Sequence, residues 1–402
     1  MMRRRVSTCL IASLLALSAW HSVLAQAEIQ VVNEEPVFTF NESIHFSAAL
    51  QTDQPVTRVL VIVGPTGRPE EDRVLPATLD ETGRITARLD LSDHPFQAFA
   101  TLDYRYQITF GDGEIYTTSP YKFRYLDNRY DWQTLESPPF RVHWFQGDVS
   151  FAQEVVNAAH AGERRLPEIL EVYLPDEVDI YVYASAAELQ VALQSSNSTW
   201  VAGHANPELN VVLVSLPQGP EQQLEIERQI PHELMHVALY YTDAHTYKNL
   251  PAWLNEGLAS LAELYPSPEY QAILENAFTA GNLLPMSSIC QAFPAESSQR
   301  LLAYAQSASF TSFLFEQFGT AGFNRLRAAL ANNLGCREAV ENALGASLEN
   351  LEGKWRRETF TGEAWQEAFA ELLPWLVLAL VILVGPLIMV FSIARRPARM
   401  EL

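Results

Sequence analysis

The sequence predicts a multidomain protein in which an N-terminal all-β sandwich is followed by an α+β domain and a single C-terminal transmembrane helix. Three observations support this order. Short stretches of alternating apolar and polar residues fill the first third of the chain. Strand-like and helical patterns mix from about residue 140 onwards. Both ends of the chain carry apolar segments of the kind that enter membranes.

Residues 1–25 have the features of a secretory signal peptide. Three arginines at positions 3–5 precede an apolar run from about Cys9 to Trp20, and small residues around Ala25 suit cleavage. We therefore expect the chain to be exported. An uncleaved membrane anchor is the open alternative for this segment.

Residues 26–130 are predicted to form the β-sandwich. Apolar and polar side chains alternate in Ile85–Leu91 and Tyr104–Phe110, as in strands with one buried face. Gly111–Gly113 would then turn the chain into a partner strand at Ile115–Thr117. This rhythm of short strands favours an immunoglobulin-like or fibronectin-like domain, which would serve as a spacer or a binding module.

Residues 140–360 are predicted to form the α+β domain. Arg141–Phe145 and Val178–Tyr183 have the composition of strands. Leu301–Phe318 has helical periodicity, and Gly319 is suited to ending that helix.

The segment His232-Glu233-Leu234-Met235-His236 has the spacing of a metal site. Side chains at positions i and i+4 leave the same face of a helix, so both imidazoles could bind one Zn²⁺. Glu233 is rotated by about 100° from His232 and could instead accept a proton from a nearby water molecule. Pro231 favours a helix that starts near Ile230, or a kink there. An ordinary amphipathic helix with two histidines is the alternative interpretation.

A catalytic zinc site needs a third protein ligand and an open position. Leu250–Ser260 is predicted to be a second helix, and its Glu256 follows His236 by 20 residues, enough for an antiparallel return. Asp243 and His245 are rival third ligands on spacing alone.

These motifs resemble those of the gluzincin metallopeptidases, and Trp253–Gly257 is similar to the third-ligand motif of the M1 aminopeptidases. The resemblance implies one zinc ion per chain, held by His232, His236 and Glu256. It also implies that Glu233 is the general base.

Further segments are similar to the small bacterial peptidase MA-like family, namely Tyr304–Phe310, Gly345–Glu349 and Trp355–Arg357. By this resemblance the hydroxyl group of Tyr304 would stabilise the developing oxyanion, with His204 and Tyr247 as less favoured candidates. The strand around Gly203 would bind an extended peptide, although an ordinary core hairpin is the alternative for residues 199–216.

Two features depart from these families. The G-A-M-E-N motif with which M1 aminopeptidases hold a free amino terminus does not occur in the sequence. Ser260 stands four residues after Glu256, where thermolysin-type enzymes have the aspartate that orients one histidine. That orienting contact would have to come from another residue.

Residues 372–394 contain no formal charge over 23 positions, enough to cross a bilayer as a helix. Arg395, Arg396 and Arg399 follow at once. The positive-inside rule then predicts that residues 395–402 are cytoplasmic and that the body of the protein lies outside the membrane. A buried core helix is the alternative.

Composition narrows the choice of partners. A net charge of −21 and a pI near 4.8 argue against binding to nucleic acid. Cys290 and Cys336 are the two cysteines left once the signal peptide is removed, and outside the cytoplasm they could form a disulfide. Two buried thiols are the alternative.

Together these features predict a membrane-anchored, extracytoplasmic zinc metallopeptidase that hydrolyses peptide or protein substrates. Two alternatives stay open. One is a non-catalytic cell-surface protein that binds through its β-sandwich, and the other is a true aminopeptidase.

Overall fold

The computed structural model describes residues 29–193, 203–360 and 372–376. The predicted signal peptide, the predicted cytoplasmic tail and residues 377–394 of the predicted transmembrane helix lie outside these ranges. None of the helices in the described ranges is both long enough and apolar enough to cross a bilayer. The described residues divide into two compact units. The first contains residues 29–96 and 100–125, and the second contains residues 97–99 and the described residues from 126 onwards.

In its described residues the first unit consists of antiparallel strands, which are β1 (Gln30–Asn33), β2 (Val37–Thr39), β3 (Ser43–Gln51), β4 (Val56–Pro65), β5 (Arg73–Leu79), β6 (Arg84–Asp90), β7 (Thr101–Phe110), β8 (Ile115–Thr117) and β9 (Tyr121–Arg124). The strand order is β1-β3-β6-β5-β4-β7-β8, with β2 beside β3 and β9 beside β7. Strand β5 joins two halves of this sheet, one with β1, β2, β3 and β6 and the other with β4, β7, β8 and β9. Its residues 73–77 pair with β4, and its residues 78–79 pair with β6.

Alternating burial explains how the first unit folds. Every second residue of β7 is buried, from Leu102 to Phe110, and β6 shows the same alternation. The inner faces of the two halves pack on each other, since the rings of Phe46 in β3 and Tyr104 in β7 lie 5.1 Å apart. The strands predicted at Tyr104–Phe110 and Ile115–Thr117 are confirmed.

The second unit combines a five-stranded sheet with helices. Its strands are β10 (Gln133–Ser137), β11 (Phe140–Trp144), β12 (Val178–Tyr183), β13 (Gly203–Asn206) and β14 (Val211–Ser215). Its described α-helices are α1 (Val149–Ile169), α2 (Ala186–Ala192), α3 (Gln222–Thr242), α4 (Ala244–Asn249), α5 (Ala252–Ala262), α6 (Pro268–Thr279), α7 (Ser297–Ala331), α8 (Cys336–Leu344) and α9 (Leu348–Phe360). The sheet order is β10-β11-β12-β14-β13. Strands β11, β12 and β14 are parallel, and β10 and β13 are antiparallel edge strands.

Helix α3 lies between two apolar cores. Its residue Leu234 packs with sheet and α1 residues such as Ile180 and Val155. Its next residue, Met235, packs instead in a core formed largely by helices, together with Trp253 of α5 and Phe310 of α7. Because α3 is fixed on both sides, the side chains on its remaining face have well-defined positions.

One of the two predictions for Pro231, a helix that starts near Ile230, is wrong, and the alternative of a kink there stays a prediction. The helix begins at Gln222 rather than near Ile230, and Pro231 lies inside it. Proline has no N–H to bond to the carbonyl group of Glu227, four residues earlier. That carbonyl accepts a hydrogen bond from the N–H of Leu264 instead, at 3.1 Å. The long-range bond replaces the missing helical bond and attaches the end of α5 to the middle of α3.

Helix α7 also differs from its predicted bounds. It begins at Ser297, and helical structure continues to Ala331 instead of ending at Gly319. Gly319 nevertheless interrupts the helix, since its φ of 57° and ψ of −171° are not helical. A positive φ of this kind favours glycine, so the prediction identified the break but not the second helical segment.

Cys290 and Cys336 form a disulfide, with their Cα atoms 6.0 Å apart. The carbonyl group of Cys290 accepts a hydrogen bond from the N–H of Ala252 at 2.8 Å. The indole N–H of Trp253 donates to Sγ of Cys336 at 3.4 Å. Both bonds reach the first two residues of α5, so the disulfide holds the start of the helix that carries Glu256.

Candidate metal centre

Helices α3 and α5 bring the three predicted metal ligands together. The Nε2 atom of His232 lies 3.5 Å from Oε2 of Glu256, and the Nε2 atom of His236 lies 3.8 Å from the same oxygen. One donor atom from each residue lies within 4.8 Å of the other two. In the described chain the rival ligands have other partners, since Asp243 caps α4 and His245 lies 3.0 Å from the side chain of Asn333.

These three donors fit a tetrahedral metal ion. Zinc bound at about 2.0–2.2 Å separates neighbouring donors by about 3.3–3.6 Å. The observed separations of 3.5 and 3.8 Å lie close to that range. The side chains of His232 and Glu256 keep 16% and 21% of their exposure, so the group is enclosed but still reachable from solvent.

Two neighbouring side chains orient the imidazoles. Nδ1 of His232 lies 2.8 Å from Oε1 of Glu263, and Nδ1 of His236 lies 3.2 Å from Oδ1 of Asn255. An Nδ1–H that donates to an oxygen leaves the Nε2 lone pair free, and here both Nε2 atoms face Glu256. In the neutral imidazoles these contacts favour the tautomer that metal binding requires.

Two of the three ligands have the protonation state that a metal needs. Burial lowers the pKa of His236 to about 4, so its imidazole is neutral at neutral pH. Burial opposes ionisation of Glu256, but the hydrogen bond with His232 and the two imidazoles outweigh it and lower its pKa. Burial also opposes the charged form of His232, yet its contacts with Glu256 and Glu263 raise its pKa well above the usual value. Metal binding would release that proton.

Glu233 lies beside the ligands but points towards β13. Its side chain is buried, and burial raises the pKa of its carboxyl group to about 7. The charge of His232 and, less strongly, the backbone of Ala205 in β13 lower this pKa and partly offset the effect of burial. A shielded carboxyl group of this kind can both accept and return a proton near neutral pH.

Tyr304 is near enough to the centre to respond to its charges. Burial raises the pKa of its hydroxyl group, and the carboxylates of Glu256 and Glu233 raise it further. The hydroxyl group therefore stays protonated and can donate a hydrogen bond. Its ring makes an edge contact with Phe293, with ring centroids 4.9 Å apart.

The two less favoured oxyanion candidates have different surroundings. Burial lowers the pKa of the His204 imidazole, and the charge of Glu256 partly offsets this effect. Burial raises the pKa of the Tyr247 hydroxyl group to about 12, although the side chain of Asn255 lowers it in part.

The sequence analysis missed Glu263 and gave no role to Asn255. Glu263 follows Glu256 by seven residues, which is close to two full helical turns. Both carboxylates therefore point from nearly the same side of the chain towards α3. The seven-residue spacing is the signal from which the sequence could have revealed Glu263.

Comparison with known proteins identifies one family. Residues 158–361, just over half of the chain, match the family model of the Peptidase MA superfamily. No curated protein matches the chain.

Solved structures match about a quarter of the chain. They include the sensor domain of the anti-sigma factor RsgI4 in Pseudobacteroides cellulosolvens (11% identity, 27% of this chain and 100% of that chain, TM-score 0.20). A carbohydrate-binding module family 56 β-1,3-glucan binding domain (11% identity, 24% and 99%, TM-score 0.17) also matches. These TM-scores are too low to support an argument about this chain.

The contact between Glu263 and His232 predicts the effect of one substitution. Glu263→Gln should weaken zinc binding by about 10- to 100-fold, because the neutral amide is a poorer acceptor for the imidazole N–H. Competition with a chromogenic chelator would measure the affinity. Glu269→Gln, which changes an exposed acid on α6, is the control and should leave the affinity unchanged. Equal affinities in both variants would contradict the orienting role.

Proposed function

Because the chain belongs to the Peptidase MA superfamily, we propose that it is a zinc metallopeptidase of the gluzincin type. The observation that carries the proposal is the meeting of His232, His236 and Glu256 on two helices, with Glu233 beside them. Two imidazoles and one carboxylate match the ligand set of catalytic zinc sites that keep an open position.

The residues of the site support a hydrolytic mechanism. Zinc, when bound, would supply a Lewis acid that polarises the scissile carbonyl and makes water more acidic. Glu233 would accept a proton from the attacking water and then deliver it to the leaving amine. Glu263 and Asn255 would keep the two imidazoles in place through the reaction, and Tyr304 would donate to the oxygen that becomes negative.

The sheet edge supports a peptide as the substrate. Among the strands that the structure describes, β13 pairs with β14 alone. An extended peptide could add to the free side of β13 through main-chain hydrogen bonds. Such binding does not require a free amino terminus, which agrees with the missing G-A-M-E-N motif.

The proposal includes export and anchoring. The predicted signal peptide and the predicted transmembrane helix at residues 372–394 would leave the catalytic body outside the cytoplasm. The disulfide between Cys290 and Cys336 supports this location, because disulfides persist in oxidising compartments.

The general-base role of Glu233 makes the central prediction. Glu233→Gln should reduce hydrolysis of amino-terminally acetylated peptides by about 10²- to 10⁴-fold while zinc content stays near one per chain. Glu256→Ala should instead lose zinc, which elemental analysis would show.

If Glu233→Gln retains full activity, the general base is another residue. A wild-type protein that binds zinc but cleaves nothing in a broad peptide library would favour the binding-protein alternative, and cleavage of unblocked peptides alone would favour an aminopeptidase.

The position of Tyr304 predicts a second kinetic effect. Tyr304→Phe should lower kcat by about 10²- to 10³-fold with little change in KM, because the lost hydrogen bond forms only as the oxyanion develops. Tyr265→Phe, which alters an exposed tyrosine, is the matched control and should behave as wild type. A rise in KM at constant kcat in Tyr304→Phe would show that the hydroxyl group binds the ground state.

The proposed location can be tested on intact cells that express the full chain. A protease added outside should degrade the body of the protein, and a tag placed after residue 402 should become accessible only once the cell membrane is permeabilised. A body that is protected until the cytoplasm is opened would contradict export.

A further inference from the structure

Gly203 lies where β13 passes closest to Glu233. A Cβ atom added to Gly203 would lie 2.5 Å from Oε1 of Glu233, and 3.1 Å from both its Cγ and Cδ atoms. Nonbonded carbon and oxygen atoms do not approach to 2.5 Å. Any side chain at this position would therefore displace either the Glu233 carboxylate or the strand.

The glycine is not needed for the backbone conformation. Gly203 is absent from the glycines with positive φ and lies in an extended strand, where any residue could stand. The position therefore favours glycine because there is no room for a side chain, and not because of the backbone conformation. The three atoms nearest to a Cβ at this position all belong to the side chain of Glu233.

The strand also packs against α3 two residues further on. The Ala205 side chain is buried against α3 residues such as Leu234. The carboxylate therefore occupies the space that Gly203 leaves on a strand that is held against its helix. With only 6% of the residue exposed, Glu233 has little room to move elsewhere.

We infer that Gly203 is a positioning residue that holds the carboxylate of Glu233 in its working place. The inference rests on the proposed function for its kinetic consequence, but the contact itself does not. Strand β13 would then have two functions. Gly203 positions the carboxylate of Glu233, and the edge of the strand that faces away from β14 can bind a peptide.

The kinetic test uses Gly203→Ala in the full chain. We expect kcat on an acetylated peptide to fall at least tenfold, with zinc content and KM close to wild type, because the displaced group is the base and not a ligand. Gly219→Ala is the matched control, since a Cβ there has no neighbour within 4 Å. An unchanged kcat in Gly203→Ala would overturn the inference. So would a rise in KM alone, which would make Gly203 a peptide-binding residue.

A second measurement does not depend on activity. The urea midpoint of unfolding would be compared for Gly203→Ala in the wild-type background and in the Glu233→Ala background. We expect the substitution to lower the midpoint in the first background and to lower it clearly less in the second, where the carboxylate is gone. An equal fall of the urea midpoint in both backgrounds would show that Gly203 does not make room for Glu233, and it would overturn the inference.

The two measurements separate the possible failures. If wild-type protein hydrolyses no peptide, the proposed function fails, and the unfolding comparison still decides whether Gly203 makes room for Glu233. If wild-type protein is active and Gly203→Ala is equally active, the positioning role fails alone.

Discussion

The position of α5 against α3 is the constraint on which the candidate metal centre depends. Helix α3 supplies both histidines, but the third ligand is distant in sequence and must be held by long-range contacts. The disulfide holds the start of α5, and the bond from Leu264 to Glu227 holds its end. In its middle, Gly257 contacts α7 so closely that an added Cβ would lie 1.9 Å from Oγ1 of Thr311. These three attachments fix the direction of the neighbouring Glu256 side chain.

The charges at the centre explain why it suits a cation. Three carboxylates, those of Glu233, Glu256 and Glu263, surround two imidazoles in a largely buried volume. Burying several acids together is costly unless positive charge is close by. A divalent cation would balance this excess, so metal binding and stability of the folded second unit should be coupled.

The sequence predicted which side chains meet at the candidate metal centre better than the contacts that position them. His232, His236 and Glu256 were identifiable because helical spacing and motif composition are local properties. The predicted helix start near Ile230 was wrong, because the N–H group that compensates for Pro231 belongs to Leu264, far along the chain. Glu263 was missed for a similar reason, since its partner His232 lies on another helix. The closeness of Gly203 to Glu233 depends on how the sheet packs on α3, and no local pattern encodes that.

The short distance between Gly203 and Glu233 also limits which residues this strand can carry. Alternate residues of a strand direct their side chains to the same face of the sheet, so positions 203 and 205 both face α3. A larger residue at position 203 would meet the Glu233 carboxylate, and the Ala205 side chain is buried in the core that contains Leu234. Two small residues, separated by one position, thus allow this edge strand to lie directly against the helix that carries the histidines.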